Sequence, residues 1–169
     1  MFLSQPISAF HLRAALFLAL AMAAVVGSAL AFEHIGGYIP CKLCLEQRSP
    51  YYLGAPMMLL AALSAWKNIS PSLTRILMVI AAALMGYGLY LAIFHAGVEW
   101  QFWPGPTDCS AATTKIETDA GNLLDAMNTT HPPSCDKAAI RILGISLAGW
   151  NVPASLILMT VAIRAAVRR

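Results

Sequence analysis

ILMVIAAALMGYGLYLAIF, residues 76–94, runs without one charged side chain. A bilayer is crossed by roughly 20 apolar residues in a helix, and backbone groups in lipid must pair within their own segment. The stretch therefore predicts a membrane-spanning helix. Three further uncharged runs have the same character: Ala14–Phe32, Ser49–Trp66 and Ile145–Ile163. Four spans bring both termini to one side. Lys and Arg in short flanks decide which side. Arg13, Lys67, Arg75, Arg164, Arg168 and Arg169 fall on one side with no acidic residue among them. Lys42, Arg48, Lys115, Lys137 and Arg141 fall on the other, mostly in a long loop. The first side is expected to be cytoplasmic, with loops 33–47 and 95–144 facing outward.

Composition agrees. The 169 residues are 59% hydrophobic and 11% charged, against about 25% charged in a typical soluble domain. All eight acidic residues lie within 33–46 and 99–136. No Lys/Arg cluster interleaves with aromatics, which argues against a nucleic-acid partner. Ala29-Leu30-Ala31 resembles a signal cleavage site, but the apolar core before it is longer than a signal peptide needs. The expectation is an all-α membrane protein: one domain over 1–169, a four-helix bundle with two outward loops. Ser70-Pro71 marks the inner turn, and Gly86, Gly88 and Ala81–Ala83 are small enough for close helix approach. Within the second loop, Trp100, Phe102 and Trp103 suit the headgroup layer. Ile116, Ala120, Leu123, Leu124 and Met127 fall at helical spacing and predict a short amphipathic helix. Ile140, Leu143 and Leu147 form a second apolar set leading into the last span.

Four cysteines stand out on the outward side, where disulfides persist. Cys41 and Cys44 form PCKLC, residues 40–44, while Cys109 and Cys135 stand 26 positions apart in the polar loop. In a C-x-x-C the neighbouring thiol lowers a thiol's pKa, the arrangement of a redox switch. Two static disulfides are the plainer reading. Closing Cys109–Cys135 would contribute about 3.5 kcal/mol through chain entropy, whereas a Cys41–Cys44 ring constrains almost nothing. Zinc is disfavoured, because one C-x-x-C without a second falls short of the usual ligand set.

Pro40 fits a helix start or its lead-in, placing Cys41 and Cys44 where the helix dipole favours a thiolate. Arg48 lies four residues past Cys44, on the same face. A cation at the membrane boundary needs a partner, and a thiolate or a bound ligand's oxygen would serve; a snorkelling flank residue is the bland alternative. His95 ends the third span at Arg48's depth and could donate to a ligand wedged between spans; a histidine facing the headgroups is the bland alternative. His34 is expected to line the interface, and His11 and His131 to be solvated.

Pro40, Cys41, Cys44, Gln47 and Arg48, followed by H-x-G-V-E-W-x-F-W-P-G-P-x-x-C from His95 to Cys109, resemble the DsbB family of disulfide bond formation proteins. With the span order and Cys135, the resemblance covers nearly the whole chain. It implies a multi-pass enzyme of the bacterial inner membrane with both termini cytoplasmic. Such an enzyme reoxidises a soluble periplasmic thiol oxidase of the DsbA kind and passes electrons to ubiquinone, or to menaquinone without oxygen. The implied disulfides are Cys109–Cys135, which the partner attacks at Cys109, and Cys41–Cys44. Cys135 would then exchange with Cys41, and Cys44 would become the thiolate facing the quinone, with Arg48 and His95 assisting. Some members carry an acidic residue where Gln47 stands, which leaves a carboxylate role there in doubt. A non-enzymatic membrane anchor with static disulfides, and a related oxidase dedicated to one substrate protein, are the alternatives.

Overall fold

The computed structural model describes residues 7–106 and 135–168. Four long helices dominate them: α1 Ala9–His34, α2 Lys42–Trp66, α3 Pro71–Glu99 and α4 Leu147–Val167. Each contains most or all of one uncharged run and extends past it by up to two turns. Among the described residues, α1, α3 and α4 are long and apolar enough to cross a membrane. α2 is as long, but Lys42, Glu46 and Arg48 crowd its first two turns. The inner turn forms as Ser70-Pro71 predicts: Ser70 Oγ accepts from Leu73 N at 3.3 Å and Pro71 takes the first helical position.

The core between the helices consists mainly of small and unbranched side chains. Ala15, Ala61, Ala81 and Ala162 are fully buried, with Met22, Met58, Met78 and Met85 filling the gaps. The closest approach is at Gly54, where an added Cβ would stand 2.6 Å from Met22 Sδ. Gly86 and Gly88 are looser, with ordinary contacts of 3.5 Å and more. The outer faces stay apolar; Leu20 is 68% and Tyr90 62% exposed, surface that lipid rather than water would solvate. On the side expected to be cytoplasmic, Arg75 Nη1 donates to the carbonyls of Ala166 and Arg168 at 2.8 Å each. This caps the C-terminus of α4, where a cation also suits the helix dipole.

Two expectations need correction. His11 is not solvated: it is 0% exposed and packs into the bundle, bonded to Ser8. The last helix begins at Leu147, because Arg141–Ile142 (β1) and Ile145–Ser146 (β2) pair as a short antiparallel ladder. Leu143 and Gly144 form its turn with φ of 54° and 83°, two left-handed residues as a tight hairpin of primed type requires. Leu143 thus points away, 87% exposed, instead of extending an apolar helical stripe. Trp103 folds back on α3: its Nε1 donates to Phe94 O at 2.9 Å and its ring lies over Gly97. Loop residues 116–127, read as an amphipathic helix, lie outside the described residues, as do Cys109 and His131.

Candidate active site

Pro40 leads into α2 and Cys41 is its N-cap, in extended conformation, with Sγ accepting from the Cys44 backbone N–H at 3.3 Å. The two sulfurs stand 3.0 Å apart as thiols. Both precede the uncharged run of α2. His95, 2% exposed on α3, brings Nε2 to 3.6 Å from Cys41 Sγ. These contacts assign the charge. Once Cys41 ionises, the Cys44 thiol beside it donates to its sulfur and, with His95 adding a further donor, pulls the Cys41 thiol down to about 4 against its burial. Cys44 moves the other way, because its proton is held in that bond, it is buried, and Cys41 beside it is anionic. In the dithiol the thiolate therefore belongs to Cys41. The first and third causes acting on Cys44 vanish once Cys41 is covalently engaged, which frees Cys44 to ionise in its turn.

A chain of polar groups fixes the imidazole. Gln47 Nε2 donates to His95 Nδ1 at 2.7 Å. Asn151 Nδ2 from α4 donates to Gln47 Oε1 at 2.7 Å. Tyr51 OH donates to Asn151 Oδ1 and accepts from Ser155 Oγ at 2.8 Å. With Nδ1 an acceptor, the ring's proton sits on Nε2, facing Cys41 and, at 3.8 Å, Glu99 Oε1. Three of these groups (Gln47, Tyr51, Ser155) are buried, where an unmade hydrogen bond costs about 1–3 kcal/mol.

Arg48 is brought to the site, where it is held by a carboxylate from another helix. It forms an ion pair with Glu33 at the end of α1, and Nη2 reaches Ala29 O at 3.5 Å. Beside Cys41, Cys44 and Arg48 a cavity of about 280 Å³ opens between the helices, walled by Val25, Phe32, Tyr38, Ile39 and Trp150. It is an apolar pocket with a few converging polar groups, the usual form of a small-molecule site. On their other side the cysteines meet the outer loop. Cys41, Leu43, Val98 and Cys135 form one buried cluster against which Cys44 and Phe94 pack. Cys135 is itself disulfide-bonded.

Cys41, Cys44 and His95 offer ligand atoms within 4.8 Å of one another. A metal would need Nε2 bare, whereas Gln47 holds the ring's proton there, so the set is poorly prepared for a cation. Glu33, Glu99, Asn151 and Tyr51 were not expected at the site. Glu99 alone had a readable signal, four residues past His95 on the same helix face.

The chain matches the family model described as Disulfide bond formation protein DsbB over residues 11–165. It is 27% identical over 121 residues to the Uncharacterized protein RP370 of Rickettsia prowazekii (strain Madrid E), covering 71% of this chain and 67% of that protein. No solved structure matches it. A paired dithiol at the mouth of an apolar cavity, within a bundle of lipid-suited helices, suits the chemistry the family's description names. The chain belongs to the DsbB family of membrane thiol oxidoreductases that form disulfide bonds.

Proposed function

We propose that the protein is a quinone-dependent protein disulfide oxidoreductase of the bacterial inner membrane. All four helices span as a single domain, both termini are cytoplasmic, and a soluble periplasmic oxidase of the DsbA kind is the electron donor. One observation carries the reading: Cys41 and Cys44 open on an apolar cavity on one side and share a buried cluster with Cys135 on the other. The electron route has two sulfur pairs in series between two phases. The partner's thiolate attacks Cys109 of Cys109–Cys135 and releases Cys135. Cys135 attacks Cys41 of Cys41–Cys44 and releases Cys44; the partner's second thiol then closes the partner's own disulfide and frees Cys109, which re-forms its bond to Cys135 and releases Cys41. Exchange of this kind needs an attacking thiolate and a good leaving thiol, and Cys41's surroundings favour its thiolate. The cavity fits a quinone ring: apolar walls for its faces and Arg48 as an N–H donor for a carbonyl oxygen. Quinone, ubiquinone or menaquinone, would accept two electrons there while Cys41–Cys44 re-forms.

The test is partner trapping. With Cys135→Ala, the unpaired Cys109 thiolate attacks the disulfide of an oxidised partner protein and holds it as a mixed disulfide, from which that protein can be identified. A general oxidase captured this way supports the reading, and a single dedicated substrate narrows it. Absence of any mixed disulfide, with purified protein that passes no electrons from dithiol to quinone, would leave a static membrane anchor.

A further inference from the structure

Glu99 is a group the foregoing mechanism does not use. Its side chain is 5% exposed, Oε1 stands 3.8 Å from His95 Nε2, and Oε2 is buried with no hydrogen-bond partner. It lines the same cavity as both cysteines. The other charges there are accounted for: Glu33 and Arg48 pair with each other, and Lys137 is exposed. Cys41, Cys44, His95 and Glu99 form one contiguous group at the cavity. Two adjacent buried anions with a single imidazole between them would be costly. A proton on Glu99 removes one charge and gives the orphan oxygen a role. His95, with its N–H between sulfur and carboxylate, is placed to donate to whichever of the two is ionised.

We propose that Glu99 stores the proton that Cys41 gives up and returns it when electrons leave the sulfurs, so that the site changes redox state without exchanging this proton with water. The proposal rests on the reading above that quinone is the acceptor. Its balance closes. The Cys41 thiolate, the Cys44 thiol and the protonated Glu99 enter with quinone. The sulfur–sulfur bond forms, two electrons pass to quinone, and the quinol takes one proton from Cys44 and one from Glu99. The products are the Cys41–Cys44 disulfide and the Glu99 carboxylate, with the total charge unchanged.

The experiment needs no quinone for its first reading. Full-length protein stripped of quinone is reduced with a phosphine near pH 6, where ordinary thiols stay protonated. Thiolate is followed by its ultraviolet absorbance and proton release by an indicator dye. Wild-type protein is expected to form the Cys41 thiolate with almost no proton released beyond the one that the protonated phosphine itself gives up on oxidation. Glu99→Gln is expected to release about one further proton per thiolate formed, and Glu99→Asp to restore retention. In a single turnover with added ubiquinone analogue, Glu99→Gln should slow oxidation of the dithiol about 100-fold, within the range for loss of a positioned acid. Equal proton counts in wild type and Glu99→Gln overturn the proposal, and a slower turnover without a changed count does so as well. Failure of reduced wild-type protein to reduce quinone would instead remove the proposed function and leave the proton count to be read by itself.

Discussion

Removing the Cys44 thiol tests the assignment of charge within the dithiol. In the structure the largest influence on Cys41 is the hydrogen bond from Cys44, with His95 behind it and burial opposing both. Cys44→Ala deletes the first influence and leaves burial opposed only by His95 and the backbone N–H of residue 44, so the Cys41 thiol should rise toward the ordinary range, about 8.5. A thiol at about 4 is almost wholly ionised at pH 7, whereas one at 8.5 is about 3% ionised by the same arithmetic. Reaction rate at one pH is a poor assay of this. A less acidic thiolate is intrinsically more nucleophilic, with a Brønsted slope of about 0.4–0.5, which offsets much of the lost thiolate. The proper measurement is the pH dependence itself: thiolate absorbance or alkylation rate of Cys41, with Cys109 and Cys135 replaced by serine and quinone removed. His95→Ala should move the same inflection upward by less than Cys44→Ala. Persistence of an inflection near 4 in Cys44→Ala would refute the assignment, because the charge would then not depend on the Cys44 thiol.

Three other outcomes follow from the same contacts. Arg48→Ala should raise the apparent KM for quinone roughly tenfold, the size of one charge-assisted hydrogen bond, and Glu33→Gln should give part of that effect by releasing the guanidinium; steady-state kinetics with a quinone analogue read both. Gly54→Val should lower the melting temperature in detergent, since a Cβ there meets Met22 Sδ at 2.6 Å and overpacking costs about 1–3 kcal/mol; an unchanged melting temperature would show that α1 and α2 yield freely there. The reduced protein should lose stability relative to the oxidised form as pH falls. Cys41 is held below its unfolded value, so its contribution is complete above about 8.5 and fades downward until it is gone below about 4; paired unfolding curves of the two redox forms at several pH values measure it.

The helices and the position of the dithiol were legible because their causes are local. Uncharged runs state their own length, and Pro40 before C-x-x-C states where a helix can begin. His95 was readable as a residue at the right depth, being the first polar group after the span. What stayed hidden depends on which helix lies beside which. Glu33 sits at the end of one helix and Arg48 in the second turn of the next, and no spacing rule links them. Gln47 reads as a flank residue until Asn151, from a helix about a hundred positions later, is seen to complete it. His11 is polar at a chain end and gave no sign that it is buried. The hairpin at Leu143-Gly144 lacks the Asn-Gly pair that announces such turns, and its isoleucines pass equally for the beginning of a span.

The polar chain from Ser155 to His95 has a direction, and that direction makes a claim about Cys41. Each amide in it has one oxygen and one nitrogen end, so orienting Asn151 orients Gln47, and Gln47 chooses the imidazole nitrogen that bears hydrogen. Tyr51 OH, donating at the far end, holds Asn151's oxygen toward itself. Asn151→Leu breaks the sequence: Gln47 Oε1 loses its donor, and the amide gains nothing from its present orientation. It can then turn and accept from Nδ1–H, leaving Nε2 bare toward the sulfur. The Cys41 titration should rise by about as much as in His95→Ala, although Asn151 has no hydrogen bond to either cysteine or to the imidazole. Tyr51→Phe should act in the same direction more weakly, because Asn151 keeps its bond to Gln47. A residue that merely fills space in α4 would alter the melting temperature and leave that titration where it was. If Asn151→Leu lowers stability alone while His95→Ala moves Cys41, the chain is packing and the proton on Nε2 is held by something else.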